Sequence, residues 1–108
     1  MNMDELRDRI DAVDDELLRC FAERMDIAGD IARYKAEHGL PVLDERRERE
    51  KLYAVSEKAP EELQSYAVSL YALLFELSRS RQNRLLHKQR PLAESIQAAV
   101  EQTPPLFP

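Results

Sequence analysis

Apolar residues in the first third of the chain recur every three or four positions, which is the spacing of one face of an α-helix. Two cations, Arg24 and Lys35, lie on the same stripe where apolar residues are expected. An unpaired cation in a core costs several kcal/mol, so the pair calls for an explanation. The apolar members of the stripe are Ile10, Val13, Leu17, Phe21, Ala28 and Ile31.

The stripe and its stop signals predict a first helix from about Asp4 to about His38, ended by Gly39 and Pro41. Such a helix is on the order of 50 Å long. A compact monomer of this length has a radius of gyration of only about 13 Å, so the helix overshoots any globule that its own chain builds. A second copy is therefore expected to cover the surplus apolar stripe, in an intertwined antiparallel homodimer.

Two further helices are predicted. Asp44 is the expected N-cap of the second, which ends near Ala59 because Pro60 cannot continue it. Pro60 then begins the third helix, which is expected to run to about Lys88. No strand-like alternation is present, so the predicted fold is all-α, with one very long, one short and one medium helix in a domain of residues 1–90.

The last segment, 91–108, changes in character. Pro91 permits a short amphipathic helix with Leu92, Ile96 and Val100 on one face. The ending TPPLFP is typical of an extended, proline-rich linker. This ending predicts that the chain was cut from a longer protein.

Composition narrows the functional classes. A net charge of −5 disfavours general affinity for nucleic acids, although it leaves room for a local cationic pocket. No apolar run approaches the roughly 18 residues of a membrane span, and the polar start MNMDELRDR predicts no secretory signal. The single cysteine, Cys20, fits a cytoplasmic protein. His38 and His87 are far apart and no metal-binding motif is present, so no metal site is expected.

The cations of the first helix form a candidate anion site. Arg24 and Lys35 differ by roughly 20° in direction and about 16 Å along the axis, so their long side chains can hold opposite ends of one small anion. Arg7 lies about 25 Å from Arg24 and joins such a site only from the partner chain of an antiparallel dimer. Alternatively, Arg24 pairs with Glu23 or Asp26, and Lys35 is an ordinary cation at a helix C-terminus.

The later helices add polar candidates. Asp44, Arg47 and Glu48 share one face, but a solvated helix start with internal ion pairs has the same pattern. Ser78 and Gln82 lie four residues apart beside an apolar side, where hydrogen-bonded packing residues are also common. The basic stretch RSRQNRLLHKQR favours cations at a helix C-terminus over nucleic-acid binding.

Four ordered motifs between residues 4 and 85 resemble the all-helical chorismate mutase family: LRDRIDAVDDELL, AERMDIAGDIARYK, GLPVLDERRERE and LSRSRQ. The resemblance implies the conversion of chorismate to prephenate in phenylalanine and tyrosine biosynthesis. It further implies the N-terminal mutase domain of a bifunctional enzyme whose second domain is a prephenate dehydratase. The reaction is an intramolecular rearrangement, so no cofactor is expected.

The resemblance also implies a role for each candidate residue. Arg7 of the neighbouring protomer, Arg24 and Ser78 would contact the substrate carboxylates, and Arg47 would add to the cationic lining.

Lys35 and Gln82 would contact the ether oxygen whose bond breaks, and Asp44 and Glu48 would lie around the ring hydroxyl. The residues expected to carry catalysis are Arg24, Lys35, Glu48 and Gln82.

Three alternatives stay open on the sequence. Isochorismate-pyruvate lyase and aminodeoxychorismate mutase share the fold, but these families imply an apolar residue in place of Glu48. Glu48 therefore favours chorismate as the substrate. A helical dimerisation module without catalytic activity would leave DERRERE and the basic stretch as surface charge.

Overall fold

A computed structural model describes residues 1–87 of the chain. Within this range the protein is all-helical, without strands, as the sequence predicts. The predicted end of the third helix at Lys88 and the predicted tail, 91–108, lie outside the described residues. The elements are α1 (Met3–Glu37), α2 (Glu45–Lys58), a short 3-10 turn (Glu61–Leu63) and α3 (Gln64–His87).

Local capping fixes the ends of the first two helices. The Asn2 side chain accepts a hydrogen bond from the Glu5 amide at 2.9 Å at the start of α1. Past its end, Gly39 has a φ of 65°, a left-handed conformation that favours glycine. The Asp44 carboxylate accepts from the Arg47 amide at 3.0 Å and caps α2, as predicted.

The start of the third helix differs from the prediction. Pro60 does not begin an α-helix, because the 3-10 turn Glu61–Leu63 comes first and α3 begins at Gln64. The Leu63 amide donates to the Pro60 carbonyl at 2.8 Å, which is the tighter bonding pattern of a 3-10 turn.

The core of the single chain is small and is centred on α3. α1 and α2 each pack against α3 rather than against each other. α1 approaches α3 through its C-terminal half, where Ala28 and Ala32 are buried. Gly29 permits the close approach, since a Cβ at this position would lie 3.2 Å from Cδ1 of Leu85. The other buried apolar side chains are Val55 of α2 and Phe75 of α3.

The N-terminal half of α1 has no such cover within the chain. All of residues 1–20 are exposed, including the apolar stripe, in which Ile10, Val13 and Leu17 are 59%, 62% and 58% exposed. A contiguous exposed apolar surface of this kind marks an interaction site. In residues 1–87, no helix is both long and apolar enough to cross a membrane.

Candidate active site

A cleft of about 460 Å³ opens where the C-terminal half of α1, the start of α2 and the middle of α3 meet. All the predicted site residues except Arg7 line it. Its walls combine cations, carboxylates and apolar side chains, which suits a small anionic ligand with an apolar body. The predicted residues in its lining are Arg24, Lys35, Asp44, Arg47, Glu48, Ser78 and Gln82.

Arg24 is held in the cleft by three contacts to α3. Its Nη1 donates a 2.7 Å hydrogen bond to Oγ of Ser78. The guanidinium carbon also lies 5.9 Å from the ring centroid of Tyr71 and 5.8 Å from that of Phe75, within the range of cation–π attraction. Neither acidic neighbour on α1 forms an ion pair with Arg24, whose head group is directed to α3.

Lys35 reaches from the last turn of α1 to the loop that precedes α2. Its Nζ donates to the backbone carbonyl of Val42 at 2.6 Å. A lysine ammonium has three donors, so two stay available to a ligand in the cleft. Lys35 is thus a cation near a helix C-terminus and a lining residue of the cleft at the same time.

The first turn of α2 supplies the carboxylates. Asp44 is largely committed to capping the helix through Oδ1. Glu48, one turn later, is paired with Arg79 of α3, whose Nη1 lies 2.5 Å from both carboxylate oxygens. Arg47 lies between them on the same face and is exposed. The charged residues of DERRERE therefore lie in two places. Asp44, Arg47 and Glu48 line the cleft, whereas Arg46 lies on the surface and pairs with Glu50 at 3.1 Å.

Gln82 is buried in the cleft wall, one turn after Ser78. Its side chain is 6% exposed, and its Oε1 is buried without a hydrogen-bond partner in the described part of the chain. A buried acceptor without a partner costs about 1–3 kcal/mol, which a ligand group that donates a hydrogen bond to Oε1 would recover. Gln82 therefore differs from an ordinary packing residue, which would have its hydrogen bonds satisfied.

Arg7 is not brought to the cleft by its own chain. It lies near the opposite end of α1, exposed on an apolar surface that includes Met3, Leu6 and Ile10. The distance along the helix axis is about 25 Å from Arg24, as expected from the rise per residue.

Two cations of the cleft, Arg79 and Lys51, were not among the predicted site residues. Arg79 belongs to the basic stretch that the sequence assigned to the end of a helix, and its inward position corrects that interpretation for this residue. The sequence spacing indicates this position, because Phe75, Arg79 and Gln82 are four and three residues apart and therefore share one face of the helix. Arg81, in the same stretch, is exposed.

No group of three or more histidine, cysteine or acidic side chains that could hold a metal ion occurs within residues 1–87. The donors directed into the cleft are guanidinium, ammonium, hydroxyl and amide groups. These groups bind and orient anions and donate hydrogen bonds to oxygen atoms.

Comparisons with known proteins agree with this chemistry. The profile of the chorismate mutase type II family matches residues 6–83, which include every residue of the cleft. A chorismate mutase of Methanocaldococcus jannaschii is 27% identical over 86 residues, which make up 78% of this chain and 87% of that protein. The T-protein of Haemophilus influenzae is 39% identical over 44 residues, 41% of this chain but only 12% of that longer protein. No solved structure matches the chain.

Proposed function

Because the chain belongs to the chorismate mutase type II family, an isomerase family, we propose that its cleft converts chorismate to prephenate. The observation that carries the assignment of the cleft is that Arg24, Lys35 and Gln82 all line the same small cleft. Chorismate is a dianion with a carboxylate on the ring and another on the enolpyruvyl side chain. Cations at separate points of one cleft suit such a molecule.

The first task of the site is to hold a flexible substrate in its compact, chair-like conformer. Arg24 and Arg47 are the cations proposed to bind the carboxylates, together with Arg7 of a proposed partner chain. Since Ser78 accepts a hydrogen bond from Arg24, its own hydroxyl proton is free to be donated to a carboxylate. Fixing the reacting carbons close together removes much of the entropic part of the barrier.

The second task is to stabilise the negative charge that develops on the ether oxygen as its bond to the ring breaks. Lys35 and Gln82 are the donors proposed for this oxygen. A donor aimed at developing charge in a site shielded from water lowers the barrier, because it binds the transition state more strongly than the substrate. The rearrangement is intramolecular, so the residues need not form a covalent bond or take up a proton.

Asp44 and Glu48 are proposed to lie around the ring hydroxyl, where carboxylate oxygens act as acceptors. An assay with chorismate tests the proposed function directly. The absorbance of chorismate is expected to fall while prephenate appears and no pyruvate is released. Release of pyruvate from isochorismate would favour the lyase. No turnover of chorismate, isochorismate or aminodeoxychorismate would favour a dimerisation module.

We propose that a second copy of the chain covers the exposed stripe of α1. Ile10, Val13 and Leu17 are each more than half exposed in the single chain, and burial of one such side chain contributes about 1.5–3 kcal/mol. An antiparallel partner would place its Arg7 near the cleft. Sedimentation is expected to give a dimer, and a monomer at micromolar concentration would contradict the proposal.

The partial match to the longer T-protein supports a place for this domain within a larger enzyme of aromatic amino acid biosynthesis. A prephenate dehydratase as the second domain, and a cytoplasmic location, remain predictions. The gene sequence that follows the codon of Pro108 tests the fusion.

A further inference from the structure

The ion pair of Glu48 and Arg79 connects α2 to α3 within the wall of the cleft. The side chains of Arg79 and Glu48 are 28% and 25% exposed, whereas the Arg46–Glu50 pair on the outer face of α2 is 86% and 54% exposed. Coulomb attraction between partly shielded charges is stronger than between fully solvated ones. The Glu48–Arg79 pair is therefore able to fix the position of both side chains.

Glu48 raises an electrostatic difficulty for a site that receives a dianion. A carboxylate without a counter-charge in the wall of the cleft would repel both carboxylates of the substrate. Arg79 offsets this charge, because one of its nitrogens lies 2.5 Å from each carboxylate oxygen of Glu48. An oxygen with further lone pairs can still accept a hydrogen bond from a hydroxyl group.

Arg79 lies on α3 beside residues of the proposed substrate site. Arg79 directly follows Ser78, which bonds to Arg24, and precedes the buried Gln82 by three residues. The same turn of α3 therefore anchors Glu48 and carries two of the proposed substrate contacts. A shift of Glu48 away from α3 would alter its position relative to both.

We propose that Arg79 is a positioning residue of this site. It holds the Glu48 carboxylate where that group accepts a hydrogen bond from the ring hydroxyl of the substrate, and it offsets the charge of Glu48 against the dianion. Arg79 acts through Glu48 and does not contact the reacting atoms. The inference rests on the proposed function, and it assigns a role to a residue outside the predicted site.

The first test is the steady-state kinetics of Arg79→Gln and Arg79→Lys in the 108-residue chain. Arg79→Gln is expected to raise KM for chorismate about tenfold, with a smaller effect on kcat, because the bare Glu48 carboxylate weakens binding of the dianion. Arg79→Lys keeps the charge and is expected to retain a KM close to that of the parent protein. Arg46→Gln removes an arginine from the exposed pair on α2 and is the matched control, with parental kinetics expected.

The second test distinguishes a positioning role from a merely structural one. Glu48→Gln is added to Arg79→Gln, since a neutral amide needs no counter-charge and still accepts a hydrogen bond. The double variant is expected to have a lower KM than Arg79→Gln alone. If Arg79 only tied α2 to α3, the double variant would show no recovery of KM.

Thermal melting of every variant accompanies the kinetics. If Arg79→Gln does not fold, Arg79→Met and Arg79→Met/Glu48→Gln make the same comparison, and the double variant is again expected to have the lower KM. A parental KM in Arg79→Gln, or no recovery in the double variant, overturns the inference while the parent enzyme remains an active mutase. A parent protein that leaves chorismate unchanged overturns the proposed function instead.

Discussion

Arg24 of α1 and Ser78 of α3 are joined by a 2.7 Å hydrogen bond across 54 residues of sequence. The contact orders both partners, because the guanidinium is fixed on α3 while the serine hydroxyl, having accepted one hydrogen bond, can donate to another group. The packing of Tyr71 and Phe75 near the same guanidinium restricts it further. Arg24 is therefore largely preorganised before a substrate arrives, which lowers the entropic cost of binding.

Replacement of Arg24 is expected to impair catalysis much more than folding. Arg24→Ala should reduce kcat/KM, because a charge-assisted contact to a carboxylate is lost. The loss of transition-state stabilisation calculated from kcat/KM should be roughly 3 kcal/mol. Arg24→Lys should recover little, since an ammonium lacks the planar fork that contacts serine and carboxylate together. Arg33→Ala, which removes an exposed arginine paired with Asp30 on the same helix, is the control and should keep parental activity. Near-parental turnover in Arg24→Ala would show that the cleft is wrongly assigned.

Lys35→Ala is expected to lower kcat, because the proposed donor to the ether oxygen is removed. The activation free energy should rise by a similar amount, roughly 3 kcal/mol. Loss of the contact to the Val42 carbonyl should lower the melting temperature only slightly, since the loop keeps its other backbone hydrogen bonds. Lys58→Ala, at the exposed end of α2, removes a comparable cation and serves as the control. An unchanged kcat in Lys35→Ala would exclude Lys35 from the chemical step.

Much of the helical framework could be predicted from the sequence because its signals are local. Gly39 and the Asp44 cap act on their nearest neighbours, and the structure has both as predicted. The 3-10 turn after Pro60 was missed, because proline permits either kind of helix at its first position and the choice depends on how the chain packs against α3.

The contacts of the site depend on packing and could not be predicted from helical spacing. Periodicity placed Arg24 on the apolar stripe, but it could not identify Ser78 as the hydrogen-bond partner. It likewise assigned Arg79 to the cations near a helix C-terminus, because its partner, Glu48, lies on another helix. Spacing reports which residues share a face, whereas an ion pair between helices depends on how those helices are set against each other.

Gln82→Glu is expected to introduce an acid requirement that the parent lacks. A glutamine amide donates without taking up a proton, so no loss of rate should arise from this position as the pH rises from about 5 to about 8. The carboxyl introduced by Gln82→Glu donates only while protonated, and burial raises its pKa above the usual value of about 4.3. The rate of the variant should therefore fall as the pH rises through that pKa.

The pH dependence of kcat for parent, Gln82→Glu and Gln82→Met checks this expectation. Gln82→Met has a similar volume but no donor, so it should be slow at every pH. A parent profile that demands a single protonation near about pH 5 would contradict the role proposed for Gln82.

Gly29 is expected to tolerate alanine but not a larger residue. A Cβ at this position lies 3.2 Å from Cδ1 of Leu85, the mobile end of a partly exposed side chain that can shift by a few tenths of an ångström. The gain in helix propensity, up to about 1 kcal/mol, should offset that shift in Gly29→Ala. Gly29→Leu should separate α1 from α3 and lower both the melting temperature and kcat/KM. A stable, fully active Gly29→Leu would show that the close approach is not needed.

Mixing two inactive variants tests whether the active site is shared between chains. Arg7→Ala and Arg24→Ala should each be inactive alone, because every site of either homodimer lacks one arginine. After denaturation and refolding as an equal mixture, half of the dimers are hybrids, and one of the two sites in each hybrid keeps both arginines. Activity should therefore recover to about a quarter of the parental value. If both arginines instead served the same chain, every site in the mixture would remain defective, and no recovery would be measured.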